Sequence, residues 1–214
     1  MKKFNLKISF TYEQLDSIYK TNSNVFIAKQ GFKNHEPNVV WQSFQPFEFN
    51  SISWEEEYGI YAAFPQNASG TILEKLSKVP VGVTENNLYT LEKSGVISGP
   101  KEGNLNDCFA LTNHYQKHPF MAVGLYQGAT VNGVKILENV VSFQYLLKAS
   151  TAFMYPSNII FIWIQSEVKN NSTLVGIETK VISPKTQLNF KNENATINLA
   201  YHSTLGKFYQ VQSF

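Results

Sequence analysis

Three groups of side chains in this sequence are of types that do chemistry. The first is Asp107, Cys108, His114 and His118, spaced Cys-x5-His-x3-His. A thiol beside two imidazoles is the raw material of a nucleophilic or metal site. A closed zinc site needs four ligands, and the chain holds no second cysteine. His114 and His118 would share a face only on a helix, yet Pro119 and strand-like flanks argue for a loop. The expectation is a buried cysteine that packs as a small hydrophobe, with two loop histidines, no bound metal and no cofactor.

The second group is Glu55, Glu56 and Glu57. Glycoside hydrolysis uses two carboxylates about 5–9 Å apart, and on a strand Glu55 and Glu57 would lie on one face at about that spacing. Three adjacent acids at a strand end are also what a solvated edge looks like, where charge discourages aggregation. No nucleophile elbow, phosphate loop, dinucleotide fingerprint or calcium loop occurs in the chain. A non-enzymatic protein is therefore the leading reading, with no catalytic residue assigned. A glycosidase using Glu55 and Glu57 stands as an alternative.

The third group is aromatic. Trp41, Trp54, Tyr58, Tyr61, Tyr115, Tyr126, Tyr155 and Trp163 look like more rings than one core can cover. An apolar ring beside Asn, Gln and acids is how sugars are held, by stacking plus hydrogen bonds to hydroxyls. Exposed Trp and Tyr also suit a membrane interface. Trp54, Tyr58, Tyr61, Tyr115 and Tyr155 are the expected ligand-binding residues, with a glycan or a membrane lipid as the partner.

Composition narrows the partners further. All eighteen basic residues are lysine, and the net charge is only +2. Without Arg there is no planar fork for guanine or bidentate phosphate, and no lysine cluster forms a basic footprint. Nucleic acid is excluded as a partner. Charged residues are 16% of the chain against 43% apolar. Such low charge also allows sheet edges to pair between chains, so a self-assembling structural or storage protein, or a homo-oligomer, is a second alternative. A single cysteine permits no intramolecular disulfide. Lys2 and Lys3 are not followed by the apolar stretch of a signal peptide, and no run approaches the ~20 apolar residues of a membrane helix. The expectation is synthesis in the cytoplasm, with release by an unconventional route as an option.

The elements that must position these groups read as strands. Phe4, Leu6, Ile8 and Phe10 alternate with polar residues, as a half-buried strand does. Thr11 and Gln14 form a capping box, which predicts a short helix over Thr11–Lys20. Val25–Lys29 and Asn38–Phe44 read as strands, and Phe47–Trp54 as one with a register break near Asn50. Asn132-Gly133 between apolar runs predicts a type I′ hairpin. The six apolar residues Ile159–Ile164 read as a strand covered on both faces, returning as a hairpin through Thr173–Ile182. The loop 93–107, rich in Gly and Asn, is the natural place for a sheet or subdomain boundary. The last three strands read as a meander. The hairpins at 61–80 and 163–184 are weakly similar, as either duplication or two ordinary hairpins of a β protein would make them.

About fifteen short strands with polar turns predict an all-β fold. We expect a single-domain β-sandwich over 1–214, of two packed, mostly antiparallel sheets with one short N-terminal helix. This profile resembles that of small microbial lectins and β-sandwich cytolysins of the actinoporin or fungal-lectin kind. The resemblance lies in composition and strand number and brings no residue roles with it. What it implies is a lectin-like or toxin-like role at a surface.

Overall fold

The computed structural model describes residues 1–31, 36–65, 71–166, 169–174 and 183–212. In chain order it runs β1 (Lys3–Ser9), α1 (Tyr12–Lys20), β2 (Ser23–Lys29), β3 (Gln42–Phe44), β4 (Phe49–Glu55) and β5 (Gly59–Ala63). Next come β6 (Lys75–Val79), β7 (Asn87–Leu91), β8 (Ile97–Glu102), β9 (Phe109–Asn113), β10 (Phe120–Val131) and β11 (Val134–Val140). The chain continues through β12 (Gln144–Leu147), β13 (Thr151–Met154), β14 (Ile159–Ser166) and β15 (Thr186–Asn189), and ends with β16 (Thr196–His202) and β17 (Lys207–Val211). The fold is all-β, with one helix among the described residues. No described helix is long and apolar enough to cross a membrane.

Three sheets pack together rather than two. The largest runs β17-β16-β1-β4-β10-β5-β6, with β11 and β12 also paired to the long strand β10. The second is β13-β9-β7-β8 and the third β15-β14-β2-β3. Pairing is antiparallel except for β1 with β16 and β7 with β9. The inward faces of all three sheets meet in one core. Leu6, Ile8 and Ile52 come from the first, Leu91 and Leu111 from the second, Ile27 and Ile162 from the third. Each is fully buried, and apolar area removed from water at about 25 cal/mol per Å² is the main force closing the sandwich.

The helix forms as its sequence predicts. Gln14 N–H reaches the Thr11 hydroxyl at 3.4 Å and the Gln14 side chain accepts from Thr11 N–H at 2.9 Å, so the capping box is complete. The Asn132-Gly133 turn also forms, both residues having positive φ (48° and 81°) and Val131 facing Val134. Gly59 serves close approach, because a Cβ there would lie 2.2 Å from the Tyr126 ring.

Several expectations need correction. The segment 93–107 is not one long loop, since β8 lies within it and pairs with β7. The last three strands are not a meander: β16 and β17 pair, but β15 joins β14 in another sheet. Strand β14 is buried on both faces, as its composition requires. Its partners are β2 along 160–166 and β15 along 159–162, and the expected return strand over 175–182 lies outside the described residues. On β4, Asn50 points inward with Ile52 and Trp54, while Phe47 and Phe49 are exposed.

Candidate functional site

Strand β4 alternates Asn50, Ile52, Trp54 inward with Ser51, Ser53, Glu55 outward. On one side it pairs with β1 along its whole length. On the other it pairs with β10 only at Ser53–Thr130 and Ile52–Val131. Beyond that point β10 follows β11 through a register shift between Gln127 and Ala129, a bulge of the kind that bends a strand away from its neighbour. The sheet therefore splits. The link across the split is the Gln127 amide, which donates to the Glu55 carbonyl at 2.6 Å.

The split opens as a cleft of about 580 Å³, within the range of small-ligand sites. Asn5, Ser53, Gln127, Thr130, Glu55 and Glu57 supply its polar groups, and Phe4, Trp54, Val81, Ile136 and Leu137 its apolar wall. Lys3 and Lys135 border it. Lys3 pairs with Glu55 at 2.8 Å. That hydrogen bond and charge hold the Glu55 carboxyl below its ordinary range and raise the Lys3 amine. Glu56 turns the other way and pairs with Lys2 at 2.9 Å.

Against the inward-facing ring of Trp54 lies Lys29. Its Nζ is 4.8 Å from the centre of the Trp41 ring and 5.4 Å from those of Trp54 and Tyr58. The side chain is buried, and among the described residues its amine has no hydrogen-bond partner. The Tyr58 hydroxyl and Gln127 Oε1 are unpartnered in the same sense. Burial raises the Tyr58 phenol far above its usual value, with Glu56 and Glu85 adding to the effect, so it stays protonated.

The five rings expected to bind ligand do not form a surface site. Trp54 and Tyr58 share the Lys29 neighbourhood, and of the five only Trp54 borders the cleft. Tyr61 is fully buried, donating its hydroxyl to the Ser142 carbonyl at 3.0 Å inside a separate core cluster. Tyr115 is buried and stacks on His118 at 6.1 Å. Tyr155 is half-buried beside the Cys108 thiol. The premise of surplus aromatics is thus overturned, because three sheets enclose more interior than two. Trp41 and Tyr126 bury their polar tips as well, donating to the Gln127 and Val79 carbonyls at 3.2 and 2.8 Å. Among the described residues the outward rings are others: Tyr12, Tyr19, Phe47, Phe49, Phe64, Tyr145, Phe153 and Tyr209.

Glu55 and Glu57 do border one cavity, although β4 ends at Glu55 and Glu57 follows in a tight turn whose N–H donates to the Glu55 carbonyl at 2.8 Å. Cys108 is buried and burial raises its thiol pKa. Among the described residues no three of His, Cys, Asp and Glu converge as metal ligands. Sequence reasoning missed Lys29 and Gln127. The signal for Lys29 was its place in the inward row Val25, Ile27, Lys29. No protein-family model, curated protein or solved structure matches this chain at a significant level.

Proposed function

We propose that this protein is a non-enzymatic recognition module that binds a glycan in the cleft between β4 and β10. One observation carries the reading. The split in the sheet places the aliphatic side chains of Val81, Ile136 and Leu137 beside short neutral polar side chains and carboxylates in a recess of small-ligand size. Sugars ask for that combination, an apolar face for their C–H groups and a ring of donors and acceptors for their hydroxyls. A concave recess of small-ligand size supports a glycan over a flat membrane surface. The Lys3–Glu55 pair supports binding over hydrolysis. A general acid must hold its proton near neutral pH, and Lys3 pushes Glu55 the opposite way.

A glycan array read with labelled protein, followed by titration of the best oligosaccharide, tests the reading. The partly buried Asn5 and Glu57 are the residues to change, because Trp54 also holds the core together. Asn5→Ala and Glu57→Ala should each weaken binding about tenfold, the effect of one lost charge-assisted or neutral hydrogen bond in a desolvated site, with the melting temperature unchanged. A blank array, or a hit that both variants retain at full affinity, rejects the cleft as a glycan site.

A further inference from the structure

Among the described residues Lys29 is the one buried amine, and the glycan reading leaves it without a task. It ends the inward row of β2 and projects between the sheets, where Trp41, Trp54 and Tyr58 surround its Nζ. Among the described residues no carboxylate pairs with it and nothing accepts its hydrogen bonds. Glu56, engaged with Lys2, attracts it only from a distance. Ring faces favour the ammonium form modestly, but removing an unpaired cation from water opposes it more strongly. Burial pushes the amine down to about 7, and Glu56 opposes this without cancelling it. The pairs at the surface move Lys2 and Lys3 in the opposite direction. A desolvated lysine with a free lone pair at neutral pH is the form of this side chain that attacks carbonyl carbon.

The surroundings fit that chemistry. Trp54 lines the cleft and also stands over Lys29, so the cleft and the Lys29 chamber share a wall. The Tyr58 hydroxyl is protonated and buried beside the Gln127 side chain, and the centre of its ring stands 5.4 Å from the amine.

We propose that Lys29 captures a small aldehyde admitted through the cleft floor, forming a reversible imine. The Nζ lone pair attacks the carbonyl carbon, and the carbonyl π electrons pass to oxygen. A proton moves from nitrogen to that oxygen to give the carbinolamine. Loss of water then forms the C=N bond, and addition of water reverses it. Nothing is oxidised or reduced. The inference stands apart from glycan recognition, since labelling of Lys29 requires no oligosaccharide to bind.

The test uses the full chain at pH 7 with glycolaldehyde as the probe and cyanoborohydride to trap the imine as a stable secondary amine. Adducts are then located by peptide mass mapping. Lys29 should be modified at least about tenfold more than any other of the eighteen lysines, because surface amines near pKa 10.4 are almost wholly protonated at that pH. In urea-unfolded protein the preference should vanish. Adducts spread over surface lysines with Lys29 unmodified in the folded protein would overturn the proposal. So would equal labelling of Lys29 in folded and unfolded chains.

Discussion

The two ends of β4 bury polar groups in opposite ways. At one end Asn50 is sealed into a closed set of hydrogen bonds. Its amide donates to the Ile8 and Phe47 carbonyls at 3.3 and 2.7 Å, and its oxygen accepts from Phe47 N–H at 2.8 Å and from the Asn132 amide at 3.1 Å. Asn132, in the β10–β11 turn, also exchanges bonds of 2.8 Å with the Ser51 backbone. At the other end, about two turns of the pleat away, β10 leaves β4, a cleft opens, and Lys29, Tyr58 and Gln127 keep polar atoms without protein partners. A satisfied polar cluster fixes register and costs little to bury. An unsatisfied one costs stability and persists where something else makes use of it. The comparison sets a satisfied cluster at the Asn50 end against unpaired polar atoms at the Trp54 end, where we propose that binding takes place.

The largest effect that separates the two ends is expected at Asn50. Asn50→Ala removes four bonds and leaves the Ile8 carbonyl and the Phe47 backbone groups short of partners. At about 1–3 kcal/mol for each buried group left unpaired, partly relieved by water reaching the edge, the loss should be about 3 kcal/mol. Urea denaturation at neutral pH measures it. A loss below about 1 kcal/mol would mean that the end is not sealed and the contrast is false.

Lys29→Met should move stability the other way at low pH. Methionine fills the same aromatic chamber without a charge, and exchanging a buried charge for an apolar group of similar length typically helps. In the unfolded chain the amine titrates near 10.5, and in the folded protein at about 7. Between those values the unfolded chain binds a proton that the folded one does not, so the wild type gains stability as pH rises from 7, by about 1.4 kcal/mol per unit. Below pH 7 both forms are charged and the burial cost is felt in full. The variant should therefore be more stable by about 2 kcal/mol at pH 6, and this advantage should disappear by pH 9. Denaturation curves at pH 6, 7, 8 and 9 decide it; parallel curves for the two proteins would show that Lys29 does not titrate in this range.

The same contrast explains what could be read without coordinates. The Asn50 end was legible in outline. Alternation fixed β1, the capping box fixed α1, and Asn132-Gly133 fixed the turn that bonds to β4, because each rests on residues adjacent in the chain. The register at Asn50 was misread because an inward Asn breaks the apolar pattern, and only its four bonds to Ile8, Phe47 and Asn132 justify its burial. The Trp54 end was less legible for a related reason. Trp54 and the acids after it could be singled out by type, but a cleft made by two strands parting depends on a bulge near Gly128, and nothing local announces it. Lys29 reads as a strand terminus at the surface unless the Trp41, Trp54 and Tyr58 rings are already known to meet above it. Tyr61, Tyr115 and Tyr155 were placed in a site by composition alone, and the long-range pairings β5–β10 and β9–β13 carry the strands that hold or adjoin them into separate parts of the sandwich.

The smallest effect belongs to the rim of the open end. Lys3 and Glu55 are exposed, and an ion pair in water adds little to stability. Lys3→Gln should leave the denaturation midpoint unchanged. What it should change is the cleft's charge. Without the Lys3 hydrogen bond and charge, the Glu55 carboxyl should titrate higher, toward its ordinary value, because those are the two largest influences holding it down. Carboxyl NMR titration of Glu55 in both proteins reads this directly. If Glu55 moves up and glycan affinity at pH 5 falls with it, the ionised carboxylate is part of recognition at the mouth of the cleft. If Glu55 moves up and affinity at pH 5 is untouched, the acid belongs to the rim alone, and the neutral groups Asn5, Ser53 and Gln127 carry the binding.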